Sequence, residues 1–237
     1  AGAEASVVKA RTAPVAFTGG AFAATVRKEL RLMSRDAALM SQVMLRVLYL
    51  LPLAFILLRN AGSQSLLALP GGAAALAFVA GQVAASLAWI TVSAEDAPDL
   101  IAGAPTPIAI ARRAKLAAAF IPVAALLAPI LVTLIVLEPR VGLAATAGCA
   151  AATVANGLIN IWYQRPAKRS EFRRRRGSSW VSTLAEVAVR LCIAGAAGLA
   201  AAGLAWALIP AVLAGLLLLA VRRTDAQIAQ ALRAAAR

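Results

Sequence analysis

The sequence predicts an all-α integral membrane protein built as a six-span helical bundle. Of its 237 residues, 62% are hydrophobic, and the mean hydropathy is +0.81, whereas a soluble domain is usually about half apolar. The apolar residues lie in long continuous runs without the alternation that strands of a membrane barrel would require. Helical spans therefore account for both the composition and its arrangement.

Six apolar runs approach the length of about 20 residues that a membrane-spanning helix needs. Only Ala-Ala-Gly at 201–203 separates the last two, so these could form a tight hairpin or, less favourably, a re-entrant pair. The sixth run is short and contains Pro210. The predicted spans cover 37–58, 66–92, 116–137, 141–163, 180–201 and 204–221.

The basic residues predict the orientation of these spans. Most of the 24 Lys and Arg residues fall in the N-terminal segment, the loops after the second and fourth spans, and the C-terminal tail, whereas only Arg59 and Arg140 lie on the opposite side. Cytoplasmic loops are enriched in Lys and Arg, so both termini and both large loops are predicted to be cytoplasmic in a bacterial inner membrane. The net charge of +14 is interpreted as topology determinants and contacts with anionic lipids. A nucleic-acid surface is not predicted, because no aromatic platform accompanies the charge.

Several classes of catalytic site are excluded by composition. The chain has no histidine, which removes His-based acid–base catalysis and His metal ligands. Cys149 and Cys192 lie within apolar runs, far from any C-x-x-C spacing, and are interpreted as packing residues. The chain has no G-x-x-x-x-G-K-[ST] motif to bind ATP in a P-loop. No catalytic residue, metal site or cofactor of its own is predicted.

Residues 21–36 predict an amphipathic helix lying in the membrane interface. Residues 1–20 before it are interpreted as a flexible segment or linker, 37–223 as the transmembrane domain, and 224–237 as a cytoplasmic tail. A plain juxtamembrane anchor is an equal interpretation of the helix. One of its stripes is apolar and another basic: the first holds Phe22, Val26, Leu30 and Met33, the second Arg27, Arg31 and Arg35.

The loop at 93–115 is unusually rich in charge and proline. It holds three of the ten acidic residues, together with three prolines and three basic residues. Asp96 is a suitable N-cap with Pro98 in the first turn, and Gly103 followed by Pro105 would end the helix. A short capped helix of this kind is suited to docking in a groove of a partner protein. The alternative is a compact loop packed on its own bundle.

Charged residues inside predicted spans are costly and suggest function. Glu186 and Arg190 are spaced i, i+4 on the fifth span in the order that favours pairing. They are expected to neutralise each other or to meet Arg46 of the first span. A structural ion pair is favoured over a substrate contact.

The assembled pattern resembles the permease subunits of bacterial ABC exporters, in the class that includes drug and polysaccharide exporters. The resemblance covers about residues 20–223. It is carried by Val-Arg-Lys-Glu-Leu-Arg-Leu-Met-Ser-Arg-Asp at 26–36, by Glu-Asp-Ala-Pro-Asp-Leu-Ile-Ala-Gly-Ala-Pro at 95–105, and by Arg-Arg-Ala-Lys at 112–115. The near absence of an outer loop between the fifth and sixth spans departs from the family pattern.

The resemblance implies a transport subunit without chemistry of its own. The first cytoplasmic loop would form a coupling helix from about Asp96 to Ala104 that docks on a separate ATP-binding subunit, where ATP and Mg would bind. Two six-span units would face each other, and this chain could be one half of a double-length permease. The residues implied are Glu95, Asp96, Asp99, Leu100, Ile101 and Pro105 for coupling, and Arg27, Glu29 and Arg31 for the interface helix.

Two other functions stay open at this point. A membrane enzyme of lipid metabolism could use the basic loop at 165–179 to hold phosphate headgroups, although no cluster of carboxylates suitable for a metal accompanies that loop. A non-catalytic membrane scaffold is compatible with the same sequence. Transport by the purified complex in vesicles would separate these functions from an exporter.

Overall fold

A computed structural model describes residues 20–35, 68–93, 108–163 and 180–223, together with seven separate positions between 41 and 59. The described part of the chain is helical and has no strand. A single 3₁₀ turn, Ala205–Ala207, precedes the last helix. The helices are α1 (Ala21–Arg35), α2 (Ala68–Ser93), α3 (Ile108–Leu137), α4 (Pro139–Tyr163), α5 (Trp180–Ala201) and α6 (Leu208–Ala220).

Four of these helices are long and apolar enough to cross a membrane, so the chain is a multi-pass membrane protein. They correspond to the second through fifth predicted spans. Most of the predicted first span, 37–58, lies outside the described residues. The sixth run forms α6, whose 13 residues fall short of the roughly 20 that a full span requires. The four segments are Leu69–Trp89, Arg112–Leu137, Pro139–Tyr163 and Ser182–Ala201.

From α2 to α6, successive helices run in opposite directions. α3 turns back into α4 at Glu138 so tightly that a Cβ atom built on Gly142 would lie 2.5 Å from the Cα of Ile135. α2 and α4 are parallel, because Gly148 lies against Ala77, and Ala152, four residues further along α4, lies against Gly81, four residues further along α2. The helix bundle therefore has two ends. We call the one where residues 94–107 and 164–179 connect the helices the loop end, and the one at Glu138 the hairpin end.

The centre of the bundle is formed by α2, α4 and α5, which pack through alanine and glycine. Small residues allow helix backbones to approach closely, which is how helices associate where lipid offers no hydrophobic driving force. A Cβ atom on Gly148 would lie 2.6 Å from the Cβ of Ala197 and 3.1 Å from the Cβ of Ala77. The three helices therefore touch at this glycine with no space for a side chain.

Gly148→Ala is expected to destabilise the protein by about 1–3 kcal/mol, because the added methyl group overpacks the contact with α5. Gly195→Ala is the matched control, since nothing lies within 4 Å of a Cβ atom at that position. There the substitution should stabilise the helix by roughly 0.5 kcal/mol or more. Thermal unfolding in detergent measures both changes. Equal effects at the two glycines would contradict the packing.

The hairpin between α5 and α6 is closed by a glycine that other residues could not readily replace. Gly203 has φ +76, a left-handed conformation that costs other residues strain. Its N–H donates to the carbonyl of Ala200, and the N–H of Leu204 donates to the carbonyl of Leu199, both at 2.9 Å. This pattern is a Schellman C-cap, and it makes the connection a tight turn.

Candidate functional site

A polar cluster lies inside the apolar bundle where α2, α4 and α5 meet. Gln82 comes from α2, Asn156 from α4, and Glu186 and Arg190 from α5. Arg190 is only 4% exposed, and Glu186 and Asn156 are also buried. Long charged side chains are rarely buried unless they are paired, so the partners of Arg190 decide what this cluster can do.

Arg190 is the centre of the polar cluster. Its Nη1 donates to Gln82 Oε1, and its Nη2 donates to Asn156 Oδ1 at 3.3 Å. Its Nη2 also lies 3.8 Å from Glu186 Oε2. The guanidinium carbon is 5.3 Å from the ring centroid of Phe78, within range of a cation–π contact. One arginine thus links three helices, and the carboxylate of Glu186 neutralises its charge.

The local sequence explains how these side chains meet. Glu186 and Arg190 are one helical turn apart and share a face of α5. Gly81 leaves room for Asn156 and Arg190, because a Cβ atom at Gly81 would lie 2.8 Å from Asn156 Nδ2 and 3.3 Å from Arg190 Cγ. The amide of Asn156 donates to the carbonyl of Ala152 at 2.8 Å. Its oxygen is thereby turned toward the guanidinium.

Asn160 extends the polar cluster by one turn of α4. Its Nδ2 donates to the carbonyl of Asn156 at 3.0 Å, and the residue is buried. No hydrogen-bond donor of the described residues reaches its Oδ1. Buried polar atoms without a partner are uncommon in native proteins. The polar cluster thus offers a buried hydrogen-bond acceptor in addition to the Glu186–Arg190 ion pair.

The polar cluster lies at one depth in the bundle. From Gln82 to Trp89 on α2, and from Asn156 to Tyr163 on α4, the helices rise by about 10 Å. Both helices end at the loop end. If the spans fill a hydrocarbon layer of about 30 Å, the ion pair lies well inside it, nearer to the loop end. Ionisable residues at such depth are expensive and tend to be functional.

Sequence reasoning selected Glu186 and Arg190 but missed Gln82, Asn156 and Asn160. The available signal was the i, i+4 spacing of the two asparagines in an otherwise apolar helix, the same spacing that drew attention to the ion pair. Arg46, the other partner expected for Glu186, lies outside the described residues.

A second buried ion pair joins α1 to the bundle. Glu29 is 3% exposed, and its Oε1 lies 3.6 Å from Nζ of Lys115, a buried residue near the amino end of α3. Nζ of the exposed Lys28 is 3.5 Å from the same oxygen. Val26 and Met33 are buried on the same face of α1. The buried face of the amphipathic helix therefore carries an acid at its centre.

This contact fixes α1 at the loop end, because α3 begins there. Of the residues predicted for the interface helix, Glu29 is used within the chain, while Arg27 and Arg31 are exposed. The coupling residues predicted from sequence fall in the segment 94–107, outside the described residues, and stay a prediction. They are Glu95, Asp96, Asp99, Leu100, Ile101 and Pro105.

The described residues contain no group of three or more His, Cys, Asp and Glu side chains that could hold a metal ion. Both cysteines are free thiols, and Cys149 is buried. Comparison of the chain with protein-family models, with curated proteins and with solved structures found no match.

Proposed function

We propose that this chain is the membrane-spanning permease domain of an ATP-driven ABC exporter. ATP would be hydrolysed in a separate nucleotide-binding subunit, and this chain would perform no chemistry. The proposal includes the six spans, an orientation with both termini in the cytoplasm, and a bacterial inner membrane. A second six-span unit, either another copy or the other half of a longer chain, would complete the pathway.

The observation that carries the proposal is the anchoring of α1 against the amino-terminal part of α3. The Glu29–Lys115 pair holds α1 against the first turns of α3, and the predicted coupling residues occupy the loop that leads into that helix. A subunit bound at the loop end would thus meet the loop and the basic face of α1, Arg27 and Arg31, together. Displacement of either would act on α3.

The packing offers a route for such a displacement. α3 is 30 residues long, or about 45 Å, and turns directly into α4 at Glu138. α4 carries Asn156, which accepts a hydrogen bond from Arg190. A rigid-body shift of α3 and α4 against α5 would therefore act on the polar cluster, and such rigid-body shifts are a common form of switching between two states.

Co-purification with an ATP-binding subunit and stimulation of its ATPase test the proposal. Asp96→Lys combined with Leu100→Asp is expected to lower ATPase stimulation at least tenfold, because it reverses a charge and removes an apolar contact of the coupling helix. Glu138→Lys is the control, since it makes the same charge change at the hairpin end. If both binding and stimulation survive the double substitution, the coupling assignment is wrong.

A further inference from the structure

A groove runs along the bundle between α4, α5 and α6. It has a volume of about 490 Å³, and every residue that lines it is Ala, Gly, Val, Leu or Ile. One wall carries Ala147 and Ala151 of α4, the other Ala211 and Gly215 of α6, and Val189 and Ile193 of α5 lie in its floor. The groove faces outward, because Ala151, Ala211 and Gly215 are exposed.

The length of the groove suits a hydrocarbon chain. From Ala144 to Ala155 it extends by about 16 Å along α4, close to the roughly 15 Å that one leaflet contributes to the hydrocarbon layer. An acyl chain would restore the dispersion contacts that an empty groove forfeits.

Basic residues stand at one end of the groove. α6 leads one turn beyond Leu218 to Arg222, which is exposed, and then to Arg223. The guanidinium of Arg223 lies 4.0 Å from the ring centroid of Tyr163, the last residue of α4. This cation–π contact bridges the two walls of the groove at the loop end. Arginine at such a position can bind phosphate through two parallel hydrogen bonds.

From the apolar walls and the paired arginines we infer that the groove between α4, α5 and α6 binds an anionic phospholipid. An acyl chain lies along Ala151 and Ala211, and the phosphate lies beside Arg222 and Arg223. A loop end that faces the cytoplasm presents these arginines to the leaflet in which anionic lipids carry a negative surface potential. The inference shares the cytoplasmic orientation of the loop end with the proposed function but does not rest on transport, since it otherwise uses only the groove and the charges at its end.

Native mass spectrometry of the delipidated full chain, titrated with phosphatidylglycerol or phosphatidylcholine of the same acyl chains, tests the inference. We expect one phosphatidylglycerol to bind about tenfold more tightly than phosphatidylcholine, because two arginines meet its headgroup. Arg222→Gln with Arg223→Gln should remove this preference and leave weak binding of both lipids. Arg113→Gln, at another exposed arginine of the loop end, should leave the preference intact.

Filling the groove provides the second arm. Ala151→Trp from one wall and Ala211→Trp from the other should each lower the binding of both lipids at least tenfold. Ala125→Trp is the control, because Ala125 is an exposed apolar position of α3 outside the groove. Thermal unfolding identifies any variant that fails to fold. Lipid binding by the variant of the other wall then decides the outcome. Equal binding of the two lipids by the unmodified chain would overturn the inference. So would unchanged binding in both groove variants, or a lipid-free dimer that Ala151→Trp dissociates.

Discussion

Replacing Arg190 with leucine is expected to destabilise the helix bundle by about 3–5 kcal/mol, because the buried carboxylate of Glu186 then loses the cation that lies 3.8 Å from it. Leucine also removes the guanidinium donors to Gln82 and Asn156, and the amide oxygen of Asn156 is buried. For a domain of this size the loss corresponds to a fall of roughly 10 °C in the unfolding temperature. Thermal unfolding in detergent measures it.

Neutralising Glu186 in the same chain separates charge from packing. Glu186→Gln combined with Arg190→Leu should be less destabilised than Arg190→Leu alone, because the buried charge is gone. The difference between the double variant and the sum of the single variants gives the coupling energy. Arg113→Leu, an exposed site, should change the stability by less than about 0.5 kcal/mol. Strict additivity of the two substitutions would show that Glu186 and Arg190 do not act as a pair.

Substituting Lys115 by methionine is expected to release α1 from the bundle. Methionine keeps most of the apolar stem but leaves Glu29 buried without the cation of α3, a change that costs about 2 kcal/mol or more. Local opening of α1 should then become about 30-fold more frequent. Hydrogen exchange of the amides at 21–35 measures this opening. The amides of α5 report on the rest of the bundle.

Lys28→Met provides the control for that experiment. Lys28 lies as close to Glu29 as Lys115 does, but its side chain is 56% exposed, and surface ion pairs contribute little. Exchange in α1 should therefore change by no more than about fivefold. Reversing the charges of the Glu29–Lys115 pair, with Glu29→Lys and Lys115→Glu together, should restore part of the protection of the α1 amides against hydrogen exchange. A faster exchange in Lys28→Met than in Lys115→Met would contradict the assigned contact.

Much of the helical architecture is encoded locally and could be predicted. Runs of apolar residues marked the four long helices, and Ala-Ala-Gly at 201–203 marked the turn between α5 and α6. The polar cluster could not be predicted as a unit, because hydropathy does not tell which helices are neighbours. That Gln82 and Asn156 both face Arg190 depends on the register set by small contacts, such as Gly81 against α4.

The amphipathic helix shows a similar limit. Its apolar stripe correctly included Val26 and Met33, which are buried, but Phe22 of the same stripe is exposed. Glu29 belongs to the buried face because a lysine of another helix meets it. A periodicity assigned from one segment cannot contain that information, since the partner lies 86 residues further along the chain.

The shortness of α6 has a consequence for the lipid around the protein. Together with its 3₁₀ turn, the helix from Ala205 to Ala220 measures about 25 Å, whereas the hydrocarbon layer is about 30 Å thick. If α6 forms the proposed sixth span, the exposed Trp206 and Arg222 favour the two interfaces at its ends, and hydrophobic mismatch should thin the bilayer by several ångströms on this side. The longer α3 imposes no such thinning. The protein is thus expected to deform its membrane asymmetrically, and lipids with shorter chains should gather beside α6.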